Sequence, residues 1–553
     1  MRVLFLTHAF NSLTQRLFVE LTERGHDVAI EFDINDAVTR EAVSLFCPDL
    51  IIAPYLRRAI PEDIWRNTIC LIVHPGIKGD RGPSALDWAI VTGETNWGVT
   101  VLQANAEMDA GDIWAGGRFT MRDATKSSLY RREVTQAALK AVLAAIGEME
   151  AGGFMPEPQD LSVAYRPLVT QDERAIDWAG DDTRTVLRKI RAADGFPGVD
   201  DEIGEKRYAL FDAHAETGLT GAPGDIIGRR HHAICRATTD GAVWITHLKP
   251  ASTPEEREFK RPASMVLDLG GIPEIPEGTD ETTWREIRYE ETGGVGYLYF
   301  PFYNGAMSTD QCKRLQTAYL DACARDTRVI VLMGGGDFWS NGMHLGAIEG
   351  ADSPAEESWR NINAIDDLGH AILTTESHLT VAAMRGNAGA GGVFLALAAD
   401  RVIATPHVVL NPHYKNMGNL YGSEYWTYLL PRRVGEAGVA RVMGRRLPIG
   451  AREAAQMGLI DEYLDGAKIS EYAQSLANAG DFPARLAAKR KLRSEDEAAK
   501  PLAEYRKDEL ERMHLNFFGF DPSYHIARYN FMRKTPASRT PLFIAKHRRM
   551  GQG

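Results

Sequence analysis

The chain is poor in cysteine and has no pattern in what it has. Cys47, Cys70, Cys235, Cys312 and Cys323 are scattered over 553 residues without a CxxC pair. That excludes a Cys-rich zinc module and a disulfide framework, and it fits a reducing compartment. Histidines are spread as thinly. The adjacent His231-His232 has the wrong spacing for two ligands on one helix face, so no metal is expected. Long apolar runs are missing as well: no stretch approaches the ~18 residues of a membrane span. The opening residues, MRVLFLTHAF, run directly into a strand pattern and lack the layout of a signal peptide. The expectation is a cytoplasmic protein without a membrane partner. An excess of positive charge is absent too, with 63 Lys and Arg against 75 Asp and Glu. The formal net charge is −12, and basic clusters such as Arg184–Arg191 and Lys546–Arg549 are short, so nucleic acid is not an expected partner. No internal repeat is present.

What the chain does have is length for roughly three or four domains and an ordered succession of element patterns. Val3–Leu6, Val28–Phe32 and Leu50–Ala53 read as strands, and Thr14–Arg24 has helical spacing that Gly25 ends. Strands alternating with helices predict a parallel sheet in an α/β fold. Ligands then belong at the carboxyl edge, near the loop Thr7–Ser12. The pattern continues through Ile69–Val73 to a long helix at about Leu129–Met149, and the Gly/Pro break Gly152–Pro158 closes a first domain, 1–164. Short strand-like runs fill 165–265, and a stretch rich in charge, Pro and Gly predicts a linker over 266–284. Alternation resumes in a second α/β domain, 285–470. Residues 471–553 are predicted to be mostly helical, with a basic tail.

The first motif is HPGIKGDRGPSALDWAI (His74–Ile90), followed by GVT (Gly98–Thr100) and DAGDI (Asp109–Ile113). His74 closes an apolar strand and precedes the Pro75-Gly76 turn, where an imidazole can transfer a proton or polarise a carbonyl. Asp109 follows 35 residues later in a turn and could fix the tautomer of that ring or carry a proton. The order and spacing of these segments resemble the formyl-tetrahydrofolate transferase family, over residues 1 to about 265. The resemblance implies a Rossmann-like catalytic domain followed by a small OB-like barrel, with N10-formyltetrahydrofolate as substrate. It also implies His74 and Asp109 as catalytic residues and Gly98, Val99, Thr100, Leu102 and Asp109 along the folate. One position departs from the family, which carries an asparagine where this chain has Ile72. Loss of such an oxyanion donor commonly costs ~10²–10³ in rate. Either Ser84 or Lys78 substitutes, or the acceptor is a thiolate, which asks less of the site than an amine.

The second motif is FWSNGMHLGA (Phe338–Ala347), followed by GNAGAGGVFLALAADRVIA (Gly386–Ala404). A glycine-rich turn opening a helix, paired with a loop 49 residues upstream, resembles the crotonase (enoyl-CoA hydratase/isomerase) family over roughly 285–470. The resemblance implies a thioester carbonyl held between the backbone N–H groups of Met343 and Gly391, at a helix N-terminus that favours negative charge. Gly392 lets the chain approach coenzyme A closely. The two glutamates of a hydratase fall at Phe394 and Tyr414, so hydration is not expected. Tyr414 and Glu424 instead lie in a run with Tyr421, Tyr425, Trp426 and Tyr428. A glutamate among aromatics has a raised proton affinity and could act as base or proton carrier. The plain alternative is an aromatic core with Glu424 paired to Arg432 or Arg433.

The tandem of the two halves resembles the HypX/HoxX family of [NiFe]-hydrogenase maturation proteins. What this implies is synthesis of carbon monoxide for the hydrogenase iron. Formyl would pass from N10-formyltetrahydrofolate to coenzyme A, and formyl-CoA would then be decarbonylated by Tyr414 or Glu424. Partners would be small molecules and other hydrogenase maturation proteins. Candidate contacts to coenzyme A are Gln15, Arg131, Arg446 and Gly392, with Lys546–Arg549 as a further cationic cluster. The alternative reading is a formyltransferase for a small amine or sugar, with the second half as a CoA-binding scaffold.

Overall fold

A computed structural model describes residues 1–160, 162, 165–277 and 283–550. The boundary placed at 164 and the middle of the expected linker, 278–282, lie outside the described residues. The chain forms two compact units, residues 1–284 with 536–553, and residues 285–535. Among the described residues, no helix is long and apolar enough to cross a membrane.

In the first unit, six strands form one sheet: β1 (Arg2–Thr7), β2 (Asp27–Phe32), β3 (Leu50–Tyr55), β4 (Cys70–His74), β5 (Asn96–Gln103) and β6 (Ile113–Thr120). Their order is β2-β1-β3-β4-β5-β6. The first four run parallel, buried by apolar runs such as Val3–Leu6 and Leu50–Ala53. β5 runs antiparallel to β4 and β6 antiparallel to β5, joined through the tight turn that carries Asp109. Helix α1 (Ser12–Glu23) is capped by Asn11, whose side chain accepts from Thr14 N at 3.0 Å. Residues Tyr130–Val134 form a π-helical turn leading into α2 (Thr135–Ala151).

An antiparallel sheet follows, β7 (Val199–Ile203), β8 (Lys206–Glu216), β9 (Ile226–Arg230), β10 (Ala233–Ala237), β11 (Ala242–Pro250) and β12 (Arg261–Pro262), in the order β7-β8-β11-β10-β9 with β12 against β11. Helix α3 (Thr183–Ala193) packs Val186, Leu187 and Ile190 into its core. The described part of the expected linker is pinned to this sheet. Arg230 lies 4.5 Å over Trp244 and donates to the carbonyls of Ile275, Pro276 and Trp284. Composition could not show this, because one arginine anchors the segment through its backbone acceptors.

The second unit carries two sheets. The larger contains β13 (Arg288–Thr292), β14 (Val295–Tyr299), β15 (Val329–Gly334), β17 (Leu379–Met384), β19 (Arg401–Ala404) and β22 (Glu462–Tyr463). The smaller contains β16 (Phe338–Ser340), β18 (Asn387–Gly389), β20 (Val409–Asn411) and β21 (Ile449–Gly450). β16 and β18 pair in parallel, so the loop after one and the helix after the other, α4 (Gly391–Leu397), start side by side. Three further elements matter below: α5 (Trp426–Gly444), α6 (Leu502–Phe518) and, earlier in the chain, the long helix Pro354–Leu373.

The tail differs from the expectation of one helical region over 471–553. The described residues from 536 on belong to the first unit, where residues 540–548 cover the free edge of β2. Ile30 N donates to Ile544 O at 3.2 Å and Phe32 N to Thr540 Oγ1 at 2.9 Å. Glu31, fully buried, accepts from Thr540, from His547 Nε2 at 2.8 Å and from Arg548 Nη2 at 2.9 Å. Lys546 pairs with Asp27, so two cations of the tail are already neutralised within the unit. Burial would raise the Glu31 carboxyl, but the donations of His547, Thr540 and Arg548 outweigh it and hold the group below its ordinary value. Its contribution to stability is therefore present at neutral pH and is lost as the pH falls through that lowered value. Glu31→Ala is expected to cost about 3 kcal/mol by stranding His547 and Arg548. A lower thermal midpoint and faster proteolytic loss of the tail would report it.

Candidate active sites

His74 ends β4 and is buried at the carboxyl edge of the parallel strands, paired in register with Thr100 of β5. Its ring lies between two carboxylates. Nε2 is 2.9 Å from Asp80 Oδ2, and Nδ1 is 3.5 Å from Asp109 Oδ2. Asp109 sits in the left-handed region at φ +52, a conformation aspartate tolerates in turns. Its carboxylate accepts from Gly82 N at 3.1 Å, and its carbonyl from Gln159 Nε2 at 2.7 Å. Gly76 is required here, because a Cβ would fall on His74 Nε2 and Asp80 Oδ2. An imidazole held this way can take a proton at one nitrogen while the other stays oriented.

Asp80 was not read as a site residue. Its only signal was a place in the same loop, six residues after His74. Arg166 Nε approaches Asp80 Oδ1 at 3.8 Å, and Arg166 Nη1 is buried without a hydrogen-bond partner among the described residues. Ile72 packs half-buried among the apolar residues of its sheet. Of its suggested substitutes, Ser84 is buried and accepts from Val169 N at 3.2 Å, whereas Lys78 is half exposed and pairs with Glu157. Gly98, Val99, Thr100 and Leu102 all lie in β5. Val99, Thr100 and Leu102 are buried, and Thr100 Oγ1 donates to Gly76 O at 2.9 Å. The segment around Met108, which follows this strand, is exposed.

In the second unit, Gly342, at φ +74, turns the chain after β16, and Met307 N donates to Gly342 O at 2.9 Å while His344 N donates to Met307 O at 3.1 Å. This ladder skips the Met343 N–H. Ala390, at φ +47 and ψ −129, strains the entry to α4 and frees the Gly391 N–H in the same way. Neither amide has an acceptor among the described residues. The two turns nearly touch, since a Cβ on Gly342 would lie 3.4 Å from Gly391 N. A Cβ on Gly391 would fall on Glu424 Oε1. The carboxyl of Glu424 thus packs against Gly391, beside one of the two amides.

Tyr414 OH donates to Glu424 Oε2 at 2.6 Å, and both side chains are buried. Phe394 stacks on Tyr414 with ring centroids 5.4 Å apart, and Trp426 lies 6.4 Å from Phe394. Gly422, at φ +90, is needed because a Cβ would enter the Tyr414 ring. Glu424 does not pair with Arg432 or Arg433, which are taken by Asp496 and Asp461. Burial first, and Asp366 second, push the Glu424 carboxyl up to about 8. Burial and Glu424 likewise raise the Tyr414 phenol well above its ordinary value. The arrangement can accept a proton from a group held at the two amides and keep water out.

The positions expected to contact coenzyme A fall on both units. Asn11 donates to Tyr130 OH at 3.3 Å, linking the start of α1, with Gln15, to the π-helical turn that carries Arg131. Gln15 Nε2 donates to Phe10 O at 2.8 Å. Gly392 lies beside Gly391, while Arg446, in the same unit, donates to Asn419 Oδ1 at 3.3 Å.

Comparison with known proteins agrees with this two-part chemistry. Residues 7–146 match the formyl transferase family, 168–257 its C-terminal domain, and 301–519 the enoyl-CoA hydratase/isomerase family. The chain is 54% identical over 558 residues to the hydrogenase maturation factor HoxX of Bradyrhizobium diazoefficiens, covering 99% of this chain and 97% of that one. The crystal structure of HypX from Aquifex aeolicus in complex with tetrahydrofolic acid is similar with a TM-score of 0.96 at 50% identity, covering 99% of each chain. A methionyl-tRNA formyltransferase of Delftia acidovorans is 28% identical over 254 residues, 43% of this chain and 77% of that one.

The crowding at Gly391 gives a test with opposite signs at two glycines. Gly391→Ala is expected to displace Glu424 and to destabilise the protein by about 1–3 kcal/mol. Gly444→Ala, at the end of α5 with open space around it, is expected to be neutral or slightly stabilising. Thermal unfolding of both variants checks the contrast.

Proposed function

The chain belongs to the HypX/HoxX family of hydrogenase maturation factors, and from that membership and the geometry of its two sites we propose that it makes carbon monoxide in two steps. The first moves a formyl group from N10-formyltetrahydrofolate to the thiol of coenzyme A. The second splits formyl-CoA into carbon monoxide and free coenzyme A. The observation that carries the reading is the buried Tyr414–Glu424 pair packed against Gly391, where the family resemblance would place hydratase glutamates at Phe394 and Tyr414.

In the first step the thiol loses its proton, sulfur bonds to the formyl carbon, the carbon–nitrogen bond breaks and the folate nitrogen is protonated. His74, oriented by Asp80 and Asp109, moves that proton and stabilises charge on the formyl oxygen. A thiolate acceptor reduces the need for the amide that Ile72 lacks. Folate lies along β5 and the segment leading to Asp109.

In the second step Met343 N–H and Gly391 N–H hold the thioester oxygen. Glu424 takes the formyl proton, and the electron pair of that C–H bond stays on carbon. The C–S bond breaks with its pair on sulfur, and the proton returns from Glu424 to the thiolate. No oxidant or reductant is needed. Tyr414 orients Glu424, and Phe394, Phe338 and Trp426 exclude the water that would divert formyl-CoA to formate. Gln15, Arg131, Gly392 and Arg446 are the proposed contacts of coenzyme A. Other hydrogenase maturation proteins are the proposed recipients of the product, in the cytoplasm.

Purified protein given N10-formyltetrahydrofolate and coenzyme A is expected to release carbon monoxide, trapped on reduced haem protein under anaerobic conditions, with a strict need for both. His74→Ala should abolish release from formyltetrahydrofolate but not from added formyl-CoA. Glu424→Gln and Tyr414→Phe should reduce carbon monoxide release by about 10²-fold or more while formyl-CoA still forms. Transfer of formyl to an amine or sugar without carbon monoxide would overturn the reading.

A further inference from the structure

Glu424 and Tyr425 are consecutive non-glycine residues in the left-handed region, at φ +59 and +58. One such residue is uncommon, and two in succession persist only where the surroundings over-determine them. Here the cause is visible. A left-handed turn points its successive N–H groups to one side, as an anion-binding nest, and two buried carboxylates from distant elements fill it. Asp366, on the helix Pro354–Leu373, accepts from Glu424 N at 2.9 Å and from Ser423 Oγ at 2.8 Å. Glu509, on α6, accepts from Tyr425 N at 3.0 Å, Thr427 N at 2.8 Å, Thr427 Oγ1 at 2.5 Å and Ser423 Oγ at 3.3 Å. Both carboxylates are fully buried.

We propose that Asp366 and Glu509 are positioning residues for Glu424: they anchor the left-handed turn that sets its carboxylate over Gly391, and the Asp366 carboxylate places a second negative charge beside it that strengthens it as a base. This rests on the decarbonylation assigned above. Three carboxyl groups share this buried cluster. The groups that face Glu424 are the Tyr414 hydroxyl, Asp366, Glu509 and, from the helix Thr309–Cys323, the Cys312 thiol. The cation at the cluster is Arg506, 3.8 Å from Asp366 and paired at 2.7 Å with Asp367 as well. Repulsion between like charges in a dry site disfavours ionising all three carboxyls, so each proton accepted by Glu424 relieves it. Burial and Asp366 push the Glu509 carboxyl up to about 8 for the same reason.

Two readouts test this on the full chain. The protonated carboxyl band of Glu424, identified by its loss in Glu424→Gln, can be followed by infrared difference spectroscopy against pH. Carbon monoxide release from added formyl-CoA can be followed over the same pH range. In the wild type the band is expected to persist above pH 7, with carbon monoxide release rising as it titrates. Asp366→Asn keeps an acceptor for Glu424 N but removes the charge. It is expected to move both midpoints down by about one unit or more and to lower kcat while KM stays within about threefold. Glu509→Gln is expected to shift both in the same direction by less. A wild-type band that titrates in the ordinary carboxyl range would overturn the inference even if neither variant folds. So would an unmoved midpoint in Asp366→Asn. A band that behaves as expected in a wild type that releases no carbon monoxide would overturn the assigned reaction and support the charge coupling alone.

Discussion

The second site depends on one backbone pairing. Phe338–Ser340 and Asn387–Gly389 run parallel, and each strand is followed within two residues by one with positive φ, Gly342 and Ala390. The register shifts between Phe338 and Ser340, the two turns bring Gly342 against Gly391, and the Met343 and Gly391 amides are left without acceptors among the described residues. An unsatisfied buried N–H is costly unless something uses it, and the carbonyl oxygen of a bound thioester would use both. The positive end of α4 adds to the same field. Side chains around the site can change, as they do at Phe394 and Tyr414, without touching this frame.

Glu424 and Tyr414 sit on that frame under tight steric conditions. Gly391, Gly392 and Gly422 stand where a Cβ would strike Glu424, Ser340 or Tyr414. These glycines serve close approach more than turning. The carboxyl of Glu424 occupies the space over Gly391, so any ligand at the amides meets it at once. The first site follows a different rule. There the imidazole of His74 is bracketed by carboxylates from the following loop and from the turn between β5 and β6, an arrangement that fixes the orientation of the ring.

Residues with local signals were legible in the chain. His74 closes an apolar strand before Pro-Gly, and Asp109 lies in a DAGD turn; Met343 and Gly391 lie in glycine-bearing segments with recognisable order. Glu424 stood out as a carboxylate amid aromatics. Asp80, Asp366, Glu509 and Arg166 carried no such mark. Asp366 and Glu509 sit on helices whose sequence is ordinary, 58 and 85 residues from the glutamate they surround, and their role appears only when three elements converge. The tail was legible as basic, yet its use against Glu31 is a contact across more than 500 residues.

Sequence alone determined the class of fold, the succession of a formyltransferase-like and a crotonase-like half, and the residues that ride on strand ends and glycine turns. Those features are local: apolar periodicity selects strand or helix, and φ-permissive residues mark where the chain must bend. Only the tertiary structure decided which carboxylates surround Glu424 and His74, that the expected linker is pinned by Arg230, and that the tail covers an exposed strand edge. Such pairings arise from electrostatics and burial between segments far apart in the chain. A buried carboxylate must find donors wherever packing puts them, and no periodicity in the sequence records where that is.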